Sequence, residues 1–253
     1  MRELERDLPP TSARASVAIV GAGRLGVALA DALRRAGYPV AGPLGRGADS
    51  SDADVVLLCV PDQQIAAAAR VLRAGKLVGH CSGATGLAEL APHEAFSLHP
   101  LMTVTDQGAK FEGAGAAIAG TTERALAIAR ELAAVLGLRV VEIAERDRAA
   151  YHAAASIASN FLVTLEAAAE RIASTVGVER ALLAPLVRAT VENWATLGPA
   201  RALTGPVARG DEETVRRQRA EVATRAPELL ELFDALTNST RSLADREPAE
   251  ALA

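Results

Sequence analysis

Aromatic side chains are scarce in this chain: Phe, Trp and Tyr together make up 3% of 253 residues, so few platforms exist on which bases could stack. Basic charge is not in excess either. The net charge is −4, and a nucleic-acid partner, which needs a positive footprint, is not expected. The one basic run, Arg216-Arg217-Gln218-Arg219, reads as a solvated helix face. Cysteine is limited to Cys59 and Cys81, isolated from each other in apolar runs that read as strands. There is no C-x-x-C, so neither a redox pair nor a zinc site is expected, and reduced thiols suit a cytosolic protein. His80 directly precedes Cys81, so on a strand the two point to opposite faces and do not share a metal. No apolar run is long enough to span a membrane. The charged start, Met1-Arg2-Glu3-Leu4-Glu5-Arg6-Asp7, lacks the apolar core of a signal peptide. The expectation is a cytoplasmic protein with no membrane partner and no metal.

What is present is alanine, the main excess in a composition that is 50% hydrophobic and suited to closely packed helices. The length predicts about one to two domains. The rest is organised around Val17-Ala18-Ile19-Val20-Gly21-Ala22-Gly23-Arg24-Leu25-Gly26. A β-branched run stops at Gly21 and a helical pattern begins within a few residues, which places G-x-G-x-x-G in the strand–turn–helix context of a dinucleotide site. Gly21 permits the tight turn, Gly23 lets backbone approach a pyrophosphate, and Gly26 lets helix and strand pack closely. Ala22, Arg24 and Leu25 complete that turn, whose amides face the phosphates. The alternative is a plain βα turn that binds nothing.

A tail of residues 1–15, containing Pro9-Pro10, precedes the turn. The first helix runs to Ala36 and stops at Gly37, and Tyr38 to Ala41 make a second strand. No carboxylate follows that strand to bind a ribose. The charged residue there is Arg46, a pattern that suits the 2′-phosphate of NADP. Asp54 to Val60 reads as a buried parallel strand ending at Pro61-Asp62. Lys76 to Cys81 runs out into Ser82-Gly83, and Ala95 to Leu98 ends at His99-Pro100. Strand C-termini line the crevice of open α/β sheets. Val60, Pro61, Asp62, Ser82, Gly83 and His99 are therefore expected to face the nucleotide or its substrate. Ala116–Ala119, a helix over Thr121–Leu136 and a strand over Leu138–Ile143 add a last βαβ step. The dinucleotide domain is placed at 16–145, a helical domain at 146–241, and a frayed tail at 242–253.

In the helical half, 147–176 is an Ala-rich pattern broken at Gly177. His152, Ser156 and Asn160 stand at i, i+4 and i+8, one stripe of neutral hydrogen-bonding groups among alanines. Such a row needs partners, either a substrate carbonyl and carboxylate or neighbouring helices. His99 is the second candidate, because a histidine with an ordinary pKa near 6.5 can donate a proton as hydride reaches carbon. His93, in a Pro92-His93-Glu94 turn, reads as surface, and His80 as core. The third stretch is Leu203-Thr204-Gly205-Pro206 with Arg209-Gly210-Asp211. Asp211 can cap the next helix, Arg209 can take a carboxylate in bidentate fashion, and Thr204 belongs to the same stretch.

Taken as a set, these elements resemble a known group. They are Gly21–Gly26, Val60-Pro61-Asp62, His80-Cys81-Ser82-Gly83, Ser97-Leu98-His99-Pro100-Leu101, Tyr151-His152-Ala153-Ala154-Ala155 through Ser159-Asn160, and Leu203–Asp211. The chain is similar, over residues 16–241, to the Rossmann-like proteins with a helical C-terminal domain of formerly unknown function. That group belongs to the 6-phosphogluconate-dehydrogenase-like superfamily. The resemblance implies an α/β fold: an N-terminal Rossmann-type doubly wound, mostly parallel sheet followed by an all-α C-terminal domain. It further implies an NADP(H)-linked oxidoreductase that forms a homodimer through its helical domain. Some members look like an alternative type of ketopantoate reductase, and the His99-Pro100 element is similar to a loop of prephenate dehydrogenases.

One departure matters. The common ketopantoate reductases and β-hydroxyacid dehydrogenases carry a catalytic lysine on the first helix of the second domain. This chain has only Lys76 and Lys110, neither of them there. His152 or His99 is then the expected proton donor, His152 and Asn160 orient the carbonyl, Ser156 belongs to the same catalytic set, and Ser82, His99, Thr204 and Arg209 contact the substrate. The expected reaction is NADPH-dependent reduction of a small 2-oxo acid, ketopantoate foremost. A prephenate/arogenate-type dehydrogenase and a pyrroline-carboxylate-type imine reductase are the enzymic alternatives. A nucleotide-binding regulator or assembly partner without turnover is the alternative of another class.

Overall fold

In a computed structural model of the protein, residues 14–45, 47, 52–106 and 108–245 are described; Arg46 lies outside them. The chain divides into two compact units, one ending at Ser159 and the other beginning at Asn160.

The first unit is built on a seven-stranded sheet of order β2-β1-β3-β4-β5-β6-β7. The strands are β1 (Val17–Val20), β2 (Val40–Leu44), β3 (Val55–Leu58), β4 (Leu77–His80), β5 (Glu94–Leu101), β6 (Gly115–Gly120) and β7 (Arg139–Glu142). All neighbours run parallel except β5 and β6, which are antiparallel. Among the described residues no helix separates β5 from β6, and a parallel return would need such a crossover. Helices α1 (Arg24–Arg35) and α3 (Glu123–Val135) cover one face, where Leu29, Leu33, Ala129 and Leu132 pack on Ile19, Leu57, Phe96 and Ile118. Helix α2 (Ile65–Arg70) and the turn Leu87–Leu90 cover the other, on Ala18, Val56, Leu58 and Val78. Odd and even positions of β3 feed opposite cores, so its sequence is apolar throughout rather than alternating.

The second strand extends to Leu44, beyond the expected end at Ala41, because the Leu44 carbonyl accepts the Gly21 N–H at 2.8 Å. Its Pro43 is tolerated on an edge strand.

Helix α4 (Arg148–Ser156) belongs to the first unit, so the division falls at 159/160 rather than at 145. The reason is that Arg148 is buried against β5 and Tyr151 is hydrogen-bonded to His99. A π-helical turn, Ile157–Phe161, follows α4.

The second unit comprises α5 (Leu162–Ser174), α6 (Arg180–Leu197), the short α7 (Pro199–Ala202), α8 (Glu212–Arg225) and α9 (Leu230–Ala244). Asp211 caps α8 by accepting the Thr214 N–H at 3.1 Å. Helix α9 continues past the expected end at 241, held there by the Arg241–Glu212 ion pair and a Ser242 hydroxyl bond to the Asn238 carbonyl. Among the described residues no helix is long and apolar enough to cross a membrane.

Candidate functional site

The glycine turn after β1 divides its labour as steric arguments require. Gly21 has φ +118°, and a Cβ placed there would lie 2.2 Å from the Cys59 carbonyl oxygen. A Cβ on Gly26 would lie 1.9 Å from the Gly21 carbonyl oxygen, so helix and strand touch at backbone distance. A Cβ on Gly23 would meet nothing within 4 Å. Gly23 is also the N-cap of α1, with no side-chain cap and no acidic residue in the first turn, so the amides there are left for an anion. Ala22, Gly23 and Arg24 are exposed, whereas Leu25 is half-buried and packs towards the core. Arg24 reaches over to the Val104 carbonyl at 3.3 Å and to Asp106 at 3.7 Å.

Beside this turn, on the same edge of the sheet, β3 and β4 end in register, Leu58 opposite His80. The next residues are Cys59 and Cys81, whose sulfurs stand 3.8 Å apart. This corrects the expectation of two isolated thiols. Both cysteines are free, Cys81 is buried, and the Cys59 neighbour together with burial holds the Cys81 thiol well above its usual range. Val60, Pro61 and Asp62 continue from β3, with Pro61 and Asp62 exposed.

Ser82 and Gly83 follow β4. The Ser82 hydroxyl accepts the Ala84 and Thr85 N–H groups at 3.2 and 2.9 Å, so it first shapes its own turn. Gly83 is the floor of a small histidine cluster. A Cβ there would sit 2.8 Å from His152 Cδ2, 2.9 Å from His99 Cε1 and 3.0 Å from His99 Nε2. The two imidazoles meet edge to face, centroids 6.2 Å apart. Thus His99 and His152, chosen separately from the sequence, converge on one backbone position. His99 is not the end of its strand as expected: β5 continues to Leu101, its outer half paired with β6.

Burial pushes the His99 pKa down to about 4, the His152 and Arg148 charges add to this, and Asp62 opposes it. The Tyr151 hydroxyl lies 2.7 Å from His99 Nδ1, and its own pKa is raised by burial. His80, fully buried at the end of β4, is also pushed down to about 4, by burial first and then by Arg148. Its Nδ1 accepts the Ser82 N–H at 3.2 Å, while Nε2 has no partner in hydrogen-bonding geometry. His93, expected at the surface, is buried and bonds the Ala69 carbonyl at 3.0 Å, because its turn folds under α2.

Sequence reasoning missed Arg148 and Tyr151. Arg148 is 3% exposed, donates to the Ser97 hydroxyl at 3.2 Å and pairs with Glu145 at 3.5 Å. The signal was present: Arg148 is four residues before His152 and so on the same helix face. Extending the neutral stripe one turn upstream reaches it. Downstream the α-helical repeat ends at Ser156, and a π turn carries the chain on through Asn160. Asn160 is exposed. In the second unit Thr204 and Arg209 are exposed in a loop closed by the Asp211 N–H donating to the Pro206 carbonyl at 2.9 Å, and Arg209 lowers the Asp211 pKa behind its bonds to Thr214. Among the described residues no group of three His, Cys, Asp or Glu side chains could hold a metal ion.

A mostly parallel sheet with a glycine turn at the C-terminal end of its first strand, followed by a helical region, defines a Rossmann-like protein with a helical C-terminal domain. Residues 114–240, half of the chain, match the family described as Domain of unknown function (DUF2520), and the chain belongs to that family. No curated protein matches it. Among solved structures it is similar to BF3122 from Bacteroides fragilis, provisionally named an NADP oxidoreductase, with a TM-score of 0.76 and 21% identity over 90% of this chain and 98% of that one. Protein TM1727 from Thermotoga maritima gives a TM-score of 0.75 and 26% identity, again over 90% and 98%. The 1-pyrroline-5-carboxylate reductase of Streptococcus pyogenes gives 0.62 and 15%, over 91% and 100%.

Proposed function

We propose that this chain is an NADPH-dependent reductase of a small carbonyl compound, with a 2-oxo acid the substrate class and ketopantoate the leading candidate. The observation that supports it best is the contrast among the three glycines: Gly21 and Gly26 are jammed against backbone while Gly23 faces open space. A turn with no ligand has no need to keep its middle position bare. The fold likeness to a protein named for NADP agrees with this.

The Gly21–Gly26 turn would hold the diphosphate, and the ends of β3 and β4, Val60 to Asp62 and Ser82-Gly83, would line the same edge. NADPH, when bound, supplies the hydride that reduces the carbonyl carbon. The chain must then put a proton on the oxygen. Carbonyl reduction needs that proton delivered, whereas an iminium already carries it on nitrogen. Two imidazoles over Gly83 therefore favour a carbonyl. His99 is neutral at pH 7 and its N–H would polarise the carbonyl without carrying charge into a buried site, while His152, the other imidazole over Gly83, would pass a proton to the oxygen and regain one from solvent. For the substrate carboxylate we keep Arg209, on the chemistry of its guanidinium.

The likeness to a pyrroline-carboxylate reductase supports a second reading, reduction of a cyclic imine. A panel of 2-oxo acids, cyclic imines and prephenate, assayed by NADPH consumption or NADP reduction, separates the two. Tight NADPH binding without turnover of any of them would make the chain a nucleotide-binding regulator instead. The preference for NADP rests on Arg46, so Arg46→Ala should weaken NADPH binding far more than NADH binding, and equal losses would remove the argument.

We also propose that the helical unit pairs with a second copy in a homodimer. Helices α5 and α6 bury no residue of their own, and Leu182, Val163 and Leu186 are 69%, 69% and 65% exposed. Large apolar side chains left this exposed support an interaction site on these helices. Sedimentation of the wild type against Leu182→Asp/Leu186→Asp tests it; a monomeric wild type refutes it. The two free thiols support our reading of a cytoplasmic protein, since they suit a reducing compartment.

A further inference from the structure

We propose that Tyr151 is a positioning residue: its hydroxyl donates to His99 Nδ1 and so fixes the ring in the tautomer that carries its proton on Nε2. The inference rests on the reductase reading for its purpose, but its geometry stands alone. The phenol oxygen lies 2.7 Å from Nδ1, and the two rings meet edge to face at 89° with centroids 5.5 Å apart. A neutral imidazole has one N–H and one lone pair, and the hydrogen bond at one nitrogen decides the role of the other. Here the direction of that bond is set from the tyrosine side. The main-chain amide of Ala117, the residue opposite His99 in the β5–β6 pair, lies close enough to the same phenol oxygen to favour its lone-pair side, which turns the phenol proton towards Nδ1. Burial raises the Tyr151 pKa, so the phenol keeps its proton to give.

The consequence lies at the other edge of the ring. Nε2 is the His99 nitrogen nearest the space over Gly83, 3.0 Å from where a Cβ would stand. With Nδ1 accepting from Tyr151, Nε2 is a donor there and meets a substrate oxygen as an N–H. With the opposite tautomer it would present a lone pair, repel that oxygen and act only as a base. Tyr151 thereby assigns His99 the donor's part, and His152, beside it at the same glycine, is the neighbouring ring.

Nitrogen-15 NMR of the histidine rings in the wild-type protein, without substrate, tests the tautomer directly. We expect His99 protonated on Nε2 and unprotonated on Nδ1, and in Tyr151→Phe a mixture of both forms. His99 protonated on Nδ1 in the wild type, or an unchanged tautomer in Tyr151→Phe, overturns the proposal. On whichever carbonyl substrate the panel identifies, Tyr151→Phe should lower kcat at least tenfold with KM and NADPH affinity within a factor of two or three. Unchanged kcat overturns the role. If no compound in the panel is turned over, the reductase reading fails while the NMR result still decides the tautomer.

Discussion

Replacing Gly23 and Gly26 by alanine, one at a time, separates binding from folding within a single turn. At Gly23 the backbone is extended, φ −74° and ψ 176°, a conformation any residue adopts, and the added methyl meets nothing within 4 Å. Restricting the unfolded chain stabilises by about 0.4–1 kcal/mol. Alanine is a poorer N-cap than glycine by a comparable amount, so the two effects nearly cancel. The melting temperature of Gly23→Ala should stay within a few degrees of wild type. Its methyl, however, stands on the bare surface that a diphosphate must approach, and NADPH affinity should fall at least tenfold, about 1.4 kcal/mol or more.

At Gly26 the same methyl would overlap the Gly21 carbonyl oxygen at 1.9 Å and crowd Cys59 Cβ at 3.3 Å. Neither neighbour is the end of a flexible side chain, so backbone must move. Overpacking of this kind costs about 1–3 kcal/mol, and here the upper end applies. For a protein of this size that is a loss of roughly 6–12 °C in melting temperature. Thermal melts and calorimetric titration with NADPH on both variants read the two effects separately. Wild-type NADPH affinity in Gly23→Ala would refute the argument that the diphosphate lies on this backbone. A Gly26→Ala that melts like wild type would refute the claim that the helix and strand are in backbone contact.

Acid should destabilise the first unit through His80 and His99. Both pKa values fall from 6.5 to about 4 on folding, so the unfolded chain takes up protons first. The associated stability is complete above pH 6.5 and drains away as pH falls to 4, by about 3 kcal/mol per histidine at most. Urea midpoints between pH 7 and pH 4.5 should drop accordingly, and less steeply in His80→Gln; a flat profile contradicts the burial argument. Arg148→Met removes a buried charge that lowers both histidine pKa values, so NMR titration should show both rising; no shift would mean the guanidinium is solvated. Thr122→Ala deletes the cap of α3, whose hydroxyl accepts the Ala125 N–H at 3.1 Å. It should cost about 1 kcal/mol in denaturant melts and leave NADPH binding alone.

The glycine turn was readable because its constraints are local. A strand, a φ that only glycine tolerates and a close helix approach all fall within ten residues. The sheet was readable for a related reason, since buried parallel strands are short apolar runs between turn residues. Boundaries slipped where tertiary bonds extend an element, as at Leu44 and Leu101.

The site itself is non-local, and that is where the reading thinned. His99 and Tyr151 are 52 residues apart, and nothing in either segment names the other. The Cys59–Cys81 approach follows from register alone, Leu58 opposite His80 on neighbouring strands. A sequence shows where such strands end but not which residues stand abreast. The π turn carries no pattern at all, so the change of helical spacing after Ser156 was not legible in the sequence. The helix that begins at Arg148 was assigned to the wrong unit because alternation of strand and helix had ceased. Its first two turns nonetheless complete the sheet's chemistry: Arg148 bonds to Ser97, Tyr151 orients His99, and His152 meets it at Gly83. A unit is bounded by where its side chains are buried, and a buried arginine at a helix start is a stronger sign of attachment than the composition of the helix that follows.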